Sequence, residues 1–252
     1  MAIDLALIGG TGLYAFPGLR EVERRDVPTP FGAPSGPLVL GAFGGKRLAF
    51  LARHGEEHTL APHRVNYRAN LWALHHAGAR QVVGVNAVGG IRADMGPRAV
   101  VIPEQIIDYT HGRISSFCDV EGARVEHIDF SEPYSAALRG RLAAAAARAQ
   151  IHVVAGGCYG ATQGPRLETA AEIARMRRDG CDLVGMTGMP EAVLARELGL
   201  DYACLALVAN WAAGCGPGPG PMEPISLPEI YANLDAATAQ VPVIIAELLT
   251  AS

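Results

Sequence analysis

No run of apolar residues in this 252-residue chain approaches the roughly 18–20 needed for a helix to span a bilayer, so a membrane-crossing role is not expected. No block of lysine and arginine occurs and the formal net charge is −4, which removes long-range attraction to nucleic acid or to an anionic membrane. Arg175, Arg177 and Arg178 cluster inside a helical pattern and read as a solvated helix face. No Cys-x-x-Cys pair is found. The five cysteines, Cys118, Cys158, Cys181, Cys204 and Cys215, are odd in number and widely spaced, so reduced thiols in a cytoplasmic protein are the expectation. No basic segment precedes the first apolar run, which contains Asp4 and reads as a first strand, not a signal peptide. No internal repeat stands out, and the alanine run at 143–147 is a good helix former.

What remains is the profile of an ordinary enzyme: half the residues are apolar and 18% are charged, over a length that suits one large α/β domain or two small ones. Strands are expected near 5–8, 38–42, 48–52, 81–85, 100–102, 153–156, 183–186 and 204–208. Helices are expected near 67–76, 134–149, 168–178, 190–197 and 227–250. Several strands are apolar throughout, as strands covered on both faces must be, so the fold class is α/β with a mixed or parallel sheet flanked by helices. The Gly/Pro alternation at 214–224 can form neither helix nor sheet ladder, and reads either as a linker or as a lid over a pocket.

In open α/β sheets ligands collect beyond the carboxyl ends of the strands. The residues delivered there are Gly9 to Gly12, then Arg53 and His54, then Asn86, Ala87, Gly89 and Gly90. Further strand ends bring Thr162, Gln163, Gly164, Arg166 and Glu168, then Met186 and Thr187, and finally Asn210 and Trp211. Hydroxyls, a histidine, an arginine, glycine-lined backbone, one carboxylate and one carboxamide suit an anion beside a small polar ring.

The stretch Gly10-Thr11-Gly12-Leu13-Tyr14-Ala15 fits the dinucleotide fingerprint formally, but Phe16-Pro17-Gly18 breaks the helix that should follow. The acidic partner is also missing: Asp26 comes too early and is not expected at a strand end. A single phosphate on the loop amides and the Thr11 hydroxyl fits better, with a turn that binds nothing as the alternative. His54 and His58 are four residues apart, as in a zinc motif, yet they follow a strand end and not a helix, so no metal is expected. Arg53 and His54 read instead as donors to an anion, since arginine offers it a planar fork.

Six blocks in order, IGGTGL (8–13), TPFG (29–32), LARHGEEHTLAPHRVNYRANLWAL (51–74), HIDFSEPY (127–134), GATQGPRLET (160–169) and GMTGMPEAVLARELGL (185–200), resemble the purine nucleoside phosphorylases, in the branch of 5′-methylthioadenosine phosphorylase. The resemblance covers nearly the whole chain. It implies one nucleoside phosphorylase domain over 1–252, a mixed central sheet flanked by helices, and a homotrimer with sites near subunit interfaces. It also implies phosphate-dependent cleavage of the nucleoside C1′–N9 bond, a pentosyl transfer in purine salvage that uses inorganic phosphate as co-substrate and no cofactor. By position, Thr11, Arg53, His54, Ala87 (through its amide) and Thr187 resemble the phosphate site, and Met186 resembles the residue under the ribose. His127 resembles a residue lent to a neighbouring subunit, although an ordinary surface histidine is an equal reading.

One departure bears on the base. The methylthioadenosine branch carries an aspartate pair after the last strand, where this chain has Asn210-Trp211-Ala212, and Glu168 replaces a small serine. Both changes resemble the enzymes for inosine and guanosine. An ionised Glu168 only accepts hydrogen bonds and so suits the N1–H of a 6-oxopurine, whereas Asn210 donates to O6 and accepts from a protonated N7. Each residue also has a bland reading, Glu168 as a helix-start acid and Asn210 as a strand-end cap. The 5′ group is expected to meet Leu227 and Ile230, an apolar pair that favours 5′-methylthioinosine over inosine, while Glu223 points the other way. The rival classes are an NAD-dependent oxidoreductase, a nucleoside-binding protein without catalysis, and a methylthioadenosine phosphorylase.

Overall fold

A computed structural model describes residues 3–120, 122, 124–217 and 225–250. Eleven strands among the described residues join in one sheet. They are β1 (Leu5–Gly9), β2 (Arg20–Arg25), β3 (Leu38–Phe43), β4 (Lys46–Ala52), β5 (Gln81–Gly90), β6 (Val100–Ile102), β7 (Gln105–Asp108), β8 (Val153–Ala155), β9 (Cys158–Ala161), β10 (Leu183–Gly185) and β11 (Asp201–Trp211). The strands run in the order β2-β3-β4-β1-β5-β10-β9-β7, while β11 pairs with β5 and β6, and β6 with β8. Parallel and antiparallel ladders mix, as expected. Six helices complete the described chain: α1 (Tyr67–His76), α2 (Ala136–Arg148), α3 (Ala170–Asp179), α4 (Gly188–Glu197), α5 (Leu227–Thr238) and α6 (Val241–Thr250). None is long and apolar enough to cross a membrane.

Strand alternation divides the core into two layers. In β11, Tyr202, Cys204, Ala206 and Val208 pack with Leu71, Leu74, Ala192 and Ala195 of α1 and α4. The intervening Ala203, Leu205, Leu207 and Ala209 pack with Leu138, Leu142, Leu234, Ile244 and Leu248 of α2, α5 and α6. Side chains two apart share a face of a strand, so β11 must be apolar throughout 202–209 to bury both. A third, smaller cluster seats Ile173 and Met176 of α3 against Cys181, Val184, Ala212 and Cys215.

Helix ends follow local chemistry. Ser135 and Asn66 accept backbone bonds from Leu138 and Ala69 at the starts of α2 and α1. Thr169 and Glu172 form a reciprocal capping box on α3, which stops at Gly180 with φ 99°. Glu168 thus lies just outside the helix that its bland reading would have it begin.

Three strands escape the sequence pattern. Every residue of β2 is exposed, and its charged sequence has no apolar face to betray it. It is held by its ladder to β3 and by an exposed ion pair from Arg24 Nη1 to Glu56 at 2.6 Å. The short β7 and β9 pair with each other. Because β2 ends at Arg25, Asp26 does follow a strand, contrary to expectation, but that strand is an antiparallel edge strand and not the second strand of a dinucleotide unit. The last helical pattern is two helices. The chain turns at Ala239–Gln240, and Pro242 sits in the first turn of α6, where its missing N–H costs nothing.

Candidate functional site

The site exists because β5 is longer than its neighbours on one edge. Along the other edge β11 pairs with it over its full length. On the open edge β1 pairs only at Val82 to Gly84, and β10 only at Gly89 and Gly90. Between those pairings the sheet splits. Val85 turns its carbonyl into the split, accepting from Arg53 Nη1 at 2.8 Å. Ala87, two residues on, directs its amide the same way.

A cavity of about 500 Å3 occupies the split, and both the loop after β1 and helix α5 contribute to its wall. Of the residues expected at the site, Thr11, Arg53, His54, Ala87, Glu168, Met186, Thr187, Asn210, Ala212, Leu227 and Ile230 all line it. The loop after β1 closes tightly, with the Leu13 N–H donating to the Gly10 carbonyl at 3.0 Å. It opens no helix, as the break at Phe16-Pro17-Gly18 predicts. A Cβ on Gly10 would collide with the Val85 carbonyl and Arg53 Nη1, so only glycine lets this loop lie over the arginine.

Arg53 differs from expectation. Its guanidinium is fully buried, and its fork grips Glu191 rather than the cavity: Nε and Nη2 each donate to a carboxylate oxygen at 2.7 Å. Nη1 donates to Val85, and Nη2 also reaches Asn86 Oδ1 at 3.4 Å. Four of its five N–H groups are thus engaged inside the protein. Asn86 in turn donates from Nδ2 to Thr187 Oγ1 at 2.7 Å, which leaves the Thr187 hydroxyl proton to point elsewhere. The buried pair therefore orients a hydroxyl at the cavity wall without facing the cavity broadly itself.

His54 also changes role. Its Nδ1 donates to the Leu60 carbonyl at 2.8 Å, which fixes Nε2 as the unprotonated nitrogen. Burial and the adjacent Arg53 charge push the imidazole down to about 4, so it is neutral at pH 7. It offers the cavity an acceptor, where the sequence suggested a donor. His58, whose ring lies edge-on to His54 at 5.1 Å, reaches Thr11 Oγ1 at 3.5 Å and the Tyr14 hydroxyl at 3.2 Å. No group of metal-ligating side chains occurs among the described residues.

At the opposite end, Glu168 accepts from the Thr162 hydroxyl through Oε1 at 2.6 Å, leaving Oε2 for a donor in the cavity. Asn210 lies inside β11, where the register slips between Val208 and Asn210. The extra residue of that bulge places Ala209 and Asn210 both on the cavity. Asn210 Nδ2 donates to the Trp211 carbonyl at 2.6 Å. One N–H and the amide oxygen are left for a ligand.

Two expected residues are elsewhere, and a third is not among the described residues. Trp211 does not line the cavity: alternation turns it away, and its ring packs over Gly96. His127 is exposed on the segment before α2 and is not part of this chain's own cavity. Glu223 lies outside the described residues, as do 218–222 and 224 of the Gly/Pro segment, although Ala213 and Ile225 on either side both line the cavity. Sequence reasoning missed His58, Leu60, Val184, Tyr231 and Leu234, which complete the wall. A hydrophobic face on α5 was visible in Leu227, Ile230 and Leu234. The part of His58 was hidden by its resemblance to a metal motif.

Comparison with known proteins places the whole chain in one family. A family profile described as "Phosphorylase superfamily" matches residues 4–250. A protein of Xanthomonas campestris pv. campestris named "Probable S-methyl-5'-thioinosine phosphorylase" is 59% identical over 98% of this chain and 97% of its own length. A protein of the same name from Xylella fastidiosa is 57% identical over 92% of this chain and 96% of its own. Among solved structures, the methylthioadenosine phosphorylase of Schistosoma mansoni in complex with adenine superimposes with a TM-score of 0.91 at 30% identity, covering 99% of this chain and 91% of that one.

Proposed function

The chain belongs to the phosphorylase superfamily, and from that premise we propose that its cavity cleaves S-methyl-5′-thioinosine with inorganic phosphate, giving hypoxanthine and 5-methylthioribose 1-phosphate. The enzyme is a pentosyltransferase of the nucleoside phosphorylase kind, and the whole chain acts as one domain. The observation that carries the substrate is the placement of Glu168 and Asn210 on the same cavity as Thr11, His54 and Thr187.

Phosphate occupies the split beside β5, held by the Thr11 and Thr187 hydroxyls, the Ala87 amide and the remaining Nη1–H of Arg53. His54 accepts from a protonated phosphate oxygen. An unprotonated phosphate oxygen attacks C1′ as the C1′–N9 bond breaks, and the bonding pair leaves with the purine. The ribose lies over Met186 with oxocarbenium character, which the adjacent anion stabilises. The departing purine anion takes up a proton at N7 from solvent water. Asn210 Oδ1 accepts from that N7–H while its spare Nδ2–H donates to O6, contacts that tighten as charge develops and therefore lower the barrier. Glu168 Oε2 accepts from N1–H. Adenine would face Glu168 with a lone pair, and each unmade bond costs about 1–3 kcal/mol. Two such losses give roughly 30-fold to 10⁴-fold in selectivity at about 1.4 kcal/mol per tenfold.

The 5′ end meets Leu227, Ile230 and Leu234, an apolar wall that suits a methylthio group. Tyr231 on the same wall brings a hydroxyl that could bind a 5′-OH, which keeps inosine as the second substrate to test. We propose a homotrimer, as the family resemblance implies, in which His127, exposed and outside this chain's own cavity, completes a neighbour's pocket.

The deciding assay incubates the protein with methylthioinosine, methylthioadenosine and inosine, each with and without phosphate, and measures free base. Phosphate-dependent hypoxanthine release, fastest from methylthioinosine, is expected. Release independent of phosphate, or faster adenine release, would overturn the proposal.

A further inference from the structure

We propose that Arg113 is a positioning residue that locks together the two loops holding opposite ends of the substrate. It lies in the segment after β7, outside the cavity wall. Its guanidinium reaches over the ends of β9 and β10. Nη1 donates to the carbonyls of Met186 at 2.8 Å and Met189 at 2.6 Å, and Nη2 to those of Thr162 at 3.2 Å and Gln163 at 2.8 Å. Nε donates to Gln163 Oε1 at 3.2 Å, and Nη1 also contacts the Tyr67 hydroxyl at 3.4 Å. The group lies over the Tyr67 ring, 5.7 Å from its centroid.

The partners explain the role. All are neutral oxygens, and four are backbone carbonyls from two different segments, 162–163 after β9 and 186–189 between β10 and the start of α4. The Met186 and Met189 carbonyls flank Thr187, on the phosphate side. The Thr162 and Gln163 carbonyls begin the loop that ends at Glu168, on the base side, and the Thr162 hydroxyl itself bonds Glu168. A planar fork with five donors in fixed directions satisfies both sets at once, which the compact ammonium of lysine does not. Arg113 therefore sets the separation between the phosphate hydroxyl and the base-reading carboxylate, although it touches neither ligand. Loss of alignment by about 1 Å costs on the order of 10²-fold in rate.

The kinetic part of this inference rests on the proposed phosphorolysis; the structural part does not. The experiment measures hydrogen exchange in ligand-free protein and phosphorolysis of methylthioinosine, for the parent, Arg113→Ala and Arg113→Lys. The alanine variant is expected to exchange faster across 162–168 and 186–189 together, with β1 and β4 unchanged, and to lose about 10²-fold in kcat/KM. Guanidinium ion at sub-denaturing concentration is expected to restore both readouts in the alanine variant and neither in the parent. Arg113→Lys keeps the charge but not the fork; it is expected to show the same paired exchange and no rescue. If Arg113→Ala does not fold, the lysine variant decides alone. Parental exchange in both loops, or a rise in only one, overturns the proposal. A parent that releases no base would sink the phosphorolysis reading and leave the exchange result to judge Arg113.

Discussion

Glu191 of α4 holds Arg53, the residue following β4, through two bonds of 2.7 Å in the fully buried interior. Burial opposes the arginine's charge, yet the Glu191 carboxylate outweighs it and raises the guanidinium above its ordinary range. Tyr202 adds a 2.7 Å bond to the same carboxylate. Glu191→Gln leaves a buried cation without its counter-ion, and breaking such a pair costs about 3–5 kcal/mol. Denaturant unfolding measures this. A loss below about 1 kcal/mol, the worth of an exposed pair, would show that the interior compensates.

The neutral state of His54 predicts a pH window. Its folded value of about 4 lies below the ordinary 6.5, so the unfolded chain binds the proton more readily. The contribution of His54 to stability is present in full above 6.5 and falls away as the pH drops towards 4. At about 1.4 kcal/mol per pH unit it amounts to roughly 3 kcal/mol. His54→Gln, which does not titrate, is expected to flatten the stability profile between pH 6.5 and 4 relative to the parent. Parallel profiles for the two proteins would refute this assignment.

Asn210 is expected to matter in the transition state more than in the bound substrate. For Asn210→Ala, kcat/KM with methylthioinosine should fall by about 10²-fold or more, taking the loss of one preorganised donor as the guide. Steady-state kinetics with saturating phosphate provide the check. An unchanged value removes Asn210 from the mechanism.

The base-reading scheme predicts its own reversal. Glu168→Ser with Asn210→Asp removes the acceptor for N1–H and supplies one for the 6-amino group. The ratio of kcat/KM for methylthioadenosine over methylthioinosine should rise by roughly 30-fold or more, the lower bound for two corrected bonds. A double variant with no gain on methylthioadenosine would count against the scheme.

Much of this molecule was legible residue by residue. The apolar runs of β1, β4 and β5 announced strands covered on both faces, and the glycines after β1 announced a tight loop that opens no helix. The type of a side chain also limited its chemistry: a carboxylate at 168 and a carboxamide at 210 suggested the base before any geometry was known. By contrast, β2 was invisible, because a strand with both faces in water needs no apolar period. The division of the last helical pattern was missed as well, since both halves remain apolar across the turn at Ala239–Gln240.

The sequence by itself determined the layered α/β fold and the inventory of donors and acceptors, because hydrophobic period and side-chain chemistry are local properties. Only the tertiary structure decided how those groups are used. Arg53 turned inward because Glu191, 138 positions away, lies within reach of its fork. His54 became an acceptor at Nε2 because the Leu60 carbonyl accepts from Nδ1–H and so holds the proton on that nitrogen. Trp211 left the cavity and Asn210 entered it because a bulge in β11 changed which side chains face the split. Each outcome depends on a contact between distant segments, and such contacts exist only once the sheet has closed around the gap beside β5.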